Sequence, residues 1–181
     1  MTDFQRIMVI GGAGSGKSTL ARRIGAITGL PVIHIDPMYW NPGWVQKPGA
    51  ETTALVLEAA ARPDWVFEGN HSATMEARAA RADLIVFLDL PRHVRVRRVI
   101  WRSLRHYGRS RPDMARGCPE QFDRDFIFGW VWRFEQTHRP AYLERMAAWS
   151  ARGMRVAHLS RPRDVRRFER ALRLEVTSSP R

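Results

Sequence analysis

The chain has 181 residues, a formal net charge of +12, a hydrophobic share of 44% and seven tryptophans. That is enough apolar material for one domain burying roughly 70% of its unfolded surface, which excludes a disordered chain. Cys118 is the single cysteine, so an internal disulfide is excluded, and it reads as a lone structural thiol. No apolar stretch reaches membrane-spanning length, and the first one runs into a glycine-rich loop rather than a cleavage site, which predicts a cytoplasmic protein with no membrane partner.

In chain order, apolar runs predict strands at 7–10, 32–35, 65–67, 84–88 and 155–159. Helices are predicted at about 17–28, 52–61, 73–81, 92–106, 122–150 and 163–174. Regular alternation of the two reads as α/β with a parallel sheet, in a single domain over 1–181. Two Pro/Gly-rich excursions interrupt it, one after the second strand (about 37–62) and one after the arginine-rich helix (about 106–122). Phe126, Trp130, Trp132 and Phe134 are expected on the buried face of the long 122–150 helix, and the tail 177–181 is expected to fray.

The first strand ends in GGAGSGKST, which satisfies GxxxxGK(S/T) at Gly11, Gly12, Ala13, Gly14, Ser15, Gly16, Lys17, Ser18 and Thr19. Of 30 Lys and Arg only Lys17 and Lys47 are lysine, so lysine stands here in a chain whose default cation is arginine. The glycines let successive N–H groups turn toward phosphate oxygens, and the helix opening at Lys17 adds its positive end. Lys17 would reach the β- and γ-phosphates of ATP, and the Ser18 hydroxyl would ligate Mg2+.

In parallel sheets ligands gather beyond the carboxyl ends of strands, which selects Asp36, the stretch from Glu68 through Gly69, Asn70 and His71, and Asp89 with Pro91. Asp36 is placed to hold magnesium through water or to take a proton from an acceptor hydroxyl. Glu68 and Asp89 each end an apolar strand and compete for the carboxylate that orders the metal's waters. Trp40 and Trp44, among Pro and Gly, suit an aromatic wall for a small acceptor. The six histidines show no zinc spacing.

The basic charge invites a nucleic-acid partner, since arginines are dense at 92–116 and 161–173. The absence of any RNA- or DNA-binding motif or basic tail argues against it, and arginine in place of lysine throughout reads as a compositional bias.

Together these segments resemble P-loop kinases of the nucleoside-monophosphate-kinase type. Among these they resemble in particular the adenylate kinase-related bacterial proteins labelled DNA topology modulation protein FlaR-like. The resemblance is carried by the loop at 11–19, IHIDPMYWNPGW at 33–44, WVFEGNHS at 65–72, ADLIVFLDLP at 82–91 and GRSRPDMARGCPEQF at 108–122. It implies a three-layer P-loop NTPase fold with a five-stranded parallel sheet and a lid. It also implies Glu68-Gly69 at the place of the family's Asp-Gly pair, Arg98 along the adenine and ribose, and Arg102 at the phosphates. By the same likeness Arg161 would pack on the adenine, and Arg109 and Arg111 would act from the lid.

Where the family has an arginine gripping an acceptor phosphate, this chain has Ser72, and the nearest arginines are Arg78 and Arg81. The expectation is an ATP- and Mg2+-dependent kinase whose acceptor is a nucleoside monophosphate or a small hydroxylated metabolite. The competing expectation is a nucleotide-dependent regulator or nucleic-acid-associated NTPase of the topology-modulation kind.

Overall fold

A computed structural model describes residues 4–178. β1 (Arg6–Gly11) leads through the glycine loop into α1 (Lys17–Thr28) and β2 (Val32–His34). A short α2 (Asp36–Tyr39) and a hairpin of β3 (Trp40–Asn41) and β4 (Val45–Gln46) follow. Next come α3 (Gly49–Ala60), β5 (Trp65–Glu68), α4 (Met75–Arg81), β6 (Leu84–Leu88) and α5 (Arg92–Arg105). The chain closes with α6 (Phe134–Thr137), α7 (Arg139–Ala151), β7 (Val156–Leu159) and α8 (Pro162–Ser178).

The main sheet is five-stranded and wholly parallel, in the order β2-β5-β1-β6-β7. β1 lies at its centre, so the glycine loop leaves the middle of the carboxyl edge, with Val9 beside Glu68 and Gly11 beside Leu88. Alternate side chains feed two cores, as the two-residue period of a strand requires. Met8, Ile10, Phe67, Ile85 and Phe87 pack with Val56, Met75, Met146 and Trp149 on the face covered by α3, α4 and α7. Ile7, Val9, Val66, Val86 and Leu88 pack with Leu20, Ile24 and Leu172 on the face covered by α1 and α8. This is the expected three-layer α/β fold, and every predicted strand is present within two residues.

The predicted single helix over 122–150 is instead three pieces. A π-helical turn (Phe126–Val131) closes with the Trp132 N–H donating to the Ile127 carbonyl, and α6 and α7 follow. Pro140, within the first turn of α7, has no N–H to continue a helix through, and Gly129 weakens the stretch before it. The break turns the tryptophans outward. Phe134 is buried under Arg95, but Trp130 and Trp132 are 45% and 43% exposed, contrary to their predicted place in the core. Thr177 belongs to α8 rather than to a frayed tail, and residues 179–181 lie outside the described chain. No described helix is long and apolar enough to cross a membrane.

The two excursions meet. The Gly43 N–H donates to the Gly117 carbonyl at 2.7 Å, the Trp44 indole N–H to the Pro119 carbonyl at 2.9 Å, and the Cys118 thiol to the Asn41 carbonyl at 3.2 Å. Trp40 and Trp44 pack on Met114, Ala115 and Cys118. Trp40, expected as an acceptor wall, therefore stacks edge-on against Trp44 and serves the seam between hairpin and loop.

Candidate functional site

The glycine loop is shaped by α5 packed against it. Gly14 has φ +75°, and a Cβ there would sit 2.4 Å from the Arg95 carbonyl oxygen; a Cβ on Gly12 would sit 2.8 Å from the Arg95 guanidinium. Gly14→Ala is therefore expected to cost about 2 kcal/mol or more, from positive-φ strain together with backbone overlap. Denaturant unfolding of the variant beside wild type measures that loss. Arg98 donates to the Ser15 carbonyl at 2.8 Å, so it braces the loop's main chain rather than lining open space. Arg95 donates to the Leu90 and Val131 carbonyls and lies over the Phe134 ring, fixing α5 to the chain behind the loop. It shares a helix face with Arg98 and Arg102, and that spacing was the signal by which the sequence could have revealed it.

Asn70, expected beside an acceptor, instead closes a two-way amide clamp on the loop. Its side chain donates to the Gly11 carbonyl at 2.7 Å and accepts from the Gly11 N–H at 3.2 Å. Arg78 is likewise not available to an acceptor. It is fully buried and donates to the Gly69 carbonyl, the His71 carbonyl and the Thr74 hydroxyl, with its guanidinium over Phe67. Burial lowers it to about 10, against the opposing effect of Tyr142 and Glu68. Gly69 itself has φ +131° and presses on Ile35, so the 68–71 turn is set by packing.

Lys17, Glu68 and Asp36 converge at the carboxyl edge. The Lys17 ammonium donates to the Gly12 carbonyl at 3.3 Å and lies 3.9 Å from Glu68 Oε1, while Glu68 Oε2 is hydrogen-bonded to His34 Nδ1 at 2.8 Å. Burial first, and then the charge of Glu68, pushes Asp36 up to about 6, with Lys17 and Arg111 pulling the other way. The other carboxylate candidate is engaged elsewhere. Asp89 accepts both Arg139 Nε contacts at 2.8 and 2.9 Å and is hydrogen-bonded to His158 at 2.8 Å.

The 106–122 loop adds charged groups that the sequence reading did not weigh. Glu120 accepts from Arg102 at 2.9 Å, Ser103 at 3.1 Å and Arg111 at 2.8 Å, so one buried carboxylate gathers two cations. Arg111 also donates to Asp113 at 3.1 Å. Asp113, only 7% exposed, lies 3.9 Å from Arg22. Nothing in the local pattern distinguishes these carboxylates from ordinary loop charges, since their partners are distant in sequence. Arg109 is exposed and contributes its main chain to the loop's pairing with Glu120. Arg161 has its N–H capped by Asp164 and its side chain in solvent, where the fold leaves an adenine contact neither built nor blocked.

Comparison with known proteins follows this geometry. No protein-family model matches the chain, and no curated protein matches its sequence. Among solved structures it is similar to shikimate kinase from Acinetobacter baumannii in complex with shikimate, with a TM-score of 0.62 and 14% identity over 99% of this chain and 97% of that chain. The chain has a P-loop kinase-like fold. The P-loop residues fit a phosphate chain and a hard cation. A Cβ at Gly14 would overlap the Arg95 main chain and one at Gly12 would crowd the Arg95 guanidinium, and the buried Ser15 hydroxyl has no protein partner. Among the described residues no three His, Cys, Asp or Glu side chains form a metal cage of their own. A cation there would rest on Ser18 and on the phosphates it accompanies. A groove of about 410 Å³ lined by Val96, Ile100, Trp101, Leu104 and Trp132 lies on the outer face of α5 and shares none of these residues.

Proposed function

We propose that this protein is an ATP- and Mg2+-dependent phosphotransferase whose acceptor is a small hydroxylated metabolite. The observation that carries this reading is the convergence of Lys17, Glu68 and Asp36 at one strand edge, with Arg102 and Arg111 drawn toward it by Glu120. Lys17 would leave the Gly12 carbonyl for the β- and γ-phosphates, while loop N–H groups and the start of α1 hold the remaining oxygens. Ser18 would ligate magnesium and Glu68 would order its waters; the metal supplies charge neutralisation across the phosphates. Asp36, with its raised proton affinity, would orient the acceptor hydroxyl and take its proton. Arg102 and Arg111 would neutralise charge developing between donor and acceptor, and the 106–122 loop would act as a lid over them.

A nucleoside monophosphate is the weaker acceptor. Gripping a phosphate calls for a free arginine, yet Arg78 is buried in the 69–74 turn. On the excursion, Lys47 is paired with Glu51 at 3.1 Å. A neutral or carboxylated polyol places less demand on such cations. The solved shikimate kinase, bound to shikimate, offers a parallel for a small hydroxylated acceptor on this fold. The adenylate-kinase likeness is then confined to the donor side, and the FlaR-like label to a sequence resemblance.

A screen of small hydroxy acids, polyols, nucleosides and nucleoside monophosphates for stimulated ATP consumption tests the reading. Stimulation by a hydroxy acid or polyol is the expected result. Stimulation only by nucleoside monophosphates would overturn the acceptor assignment. ATP turnover stimulated only by duplex DNA, with steep salt dependence, would instead support the nucleic-acid-associated reading.

A further inference from the structure

An arginine held by its Nε can still present both terminal nitrogens to another group. Glu120 holds two arginines in this way. Its Oε1 accepts from Arg102 Nε at 2.9 Å and from the Ser103 hydroxyl at 3.1 Å, and its Oε2 accepts from Arg111 Nε at 2.8 Å. Among the described residues no hydrogen bond engages the terminal nitrogens of Arg102. Of those on Arg111, NH1 alone is taken, by Asp113 at 3.1 Å. The Glu120 side chain is buried and its main chain is pinned on both sides. Its N–H donates to the Arg109 carbonyl and its carbonyl accepts from the Gly108 N–H, each at 3.0 Å. The holder is fixed, and the held arginines keep their far ends for another anion.

The cluster lies between the glycine loop and α1. Arg98, one turn before Arg102 on α5, donates to the Ser15 carbonyl, so Arg102 continues a row that begins at that loop. Asp113, held by Arg111, lies 3.9 Å from Arg22, one turn past Ser18 on α1. Arg22, Arg102 and Arg111 thus face Glu120 and Asp113, three cations to two carboxylates. Burial and then the charge of Arg111 hold Arg102 below the ordinary guanidinium value, and Glu120 opposes both. Without that carboxylate the two guanidiniums would repel one another.

We infer that Glu120 is a positioning residue, a fixed carboxylate that grips Arg102 and Arg111 by Nε and sets their terminal nitrogens as a pincer for the phosphoryl group in transfer. The inference rests on the phosphotransferase reading and deepens it by saying how two like charges are kept on one anion. No covalent step involves Glu120. Because most of the cluster's charge is already neutralised, the pincer attracts a resting nucleotide weakly. Its gain lies in alignment, which counts only when the phosphoryl group comes between the two arginines.

Calorimetric titration of ADP and magnesium, with and without fluoroaluminate, tests this without any acceptor, since fluoroaluminate beside ADP stands in for a phosphoryl group in transfer. Fluoroaluminate should tighten ADP binding to the wild type. Glu120→Gln keeps the shape and removes the charge, leaving one arginine facing an amide N–H. It is expected to bind ADP alone as well as wild type does, or better, and to lose roughly 10- to 100-fold of the fluoroaluminate enhancement. Glu120→Asp keeps the charge but draws it back by one methylene. It should retain ADP and lose part of the enhancement, which serves the same test if the amide variant does not fold. If Glu120 acts through the two arginines, adding Glu120→Gln to the pair Arg102→Ala and Arg111→Ala should reduce the enhancement no further. Equal loss with ADP alone and with fluoroaluminate would make Glu120 a latch for the loop and overturn the inference. An enhancement that is unchanged or larger in the folded Glu120 variants would also overturn it, the larger one by showing that Glu120 competes with the phosphoryl group. A wild type that binds ADP without any fluoroaluminate effect removes the pincer but leaves the phosphotransferase reading to the acceptor screen. A wild type that binds neither ADP nor ATP removes that reading as well.

Discussion

Lys17→Ala is expected to lower phosphoryl transfer by about 10³-fold or more while the protein stays folded. The ammonium is not part of either core. Its contacts are the Gly12 carbonyl at 3.3 Å and a 3.9 Å approach to Glu68, which keeps His34 as a partner when the lysine is gone. Removing a loosely held cation therefore costs little stability, whereas the phosphates lose the one compact charge able to follow them. Denaturant unfolding and single-turnover rates measure the two sides separately. A variant that turns over at the wild-type rate would rule out the mechanism, and one that unfolds would show that the loop depends on this side chain for its shape.

Asp36→Asn should move stability and activity in opposite directions. In the folded protein Asp36 is raised from 3.8 to about 6, by burial and then by Glu68. Below the ordinary carboxylate value both folded and unfolded chains hold the proton, and there is no penalty. As pH rises toward about 6 the unfolded chain releases it first, so stability is lost across that window and stays lost above it. At roughly 1.4 kcal/mol per unit, the upper bound on the penalty is about 3 kcal/mol. The side chain is partly open to solvent, which screens it, so Asp36→Asn is expected to gain about 1–2 kcal/mol at pH 8 and nothing at pH 4. Transfer should fall by about 10²- to 10⁴-fold, since the amide cannot accept the hydroxyl's proton. In the wild type the rate should decline as pH falls through about 6. Unfolding curves at the two pH values, paired with initial rates, check all of this; a gain of equal size at pH 4 would contradict the charge argument.

What was legible in the sequence is what local pattern encodes. The central strand, the glycine loop and the helix after it lie within 6–28, and their spacing alone predicts the strand, turn and helix found there. The end of β5 at Glu68 was legible because an apolar run closes there on an acid and a glycine. Arg78 and Asn70 were misread because a polar residue near a strand end looks the same whether it faces a ligand or holds a turn. Only the packing against Phe67 and the pairing with Gly11 tell the two apart. The break at 126–140 was hidden by a helix-like apolar repeat that Pro140 and Gly129 override. Asp113 and Glu120 were invisible because their partners, Arg22 and Arg102, are brought near by tertiary folding alone.

The join between the Trp40–Trp44 hairpin and the 114–119 stretch bears on fidelity. Phosphotransfer in water competes with simple hydrolysis, and an enzyme of this kind wastes ATP whenever solvent reaches the reacting phosphate in place of the proper alcohol. If the chain is the proposed phosphotransferase, the barrier to solvent would be this join, closed by the main-chain contact between Gly43 and Gly117 and filled by indole rings on Met114 and Cys118. Its tightness, rather than any residue that touches phosphate, would then set how much idle hydrolysis accompanies productive turnover.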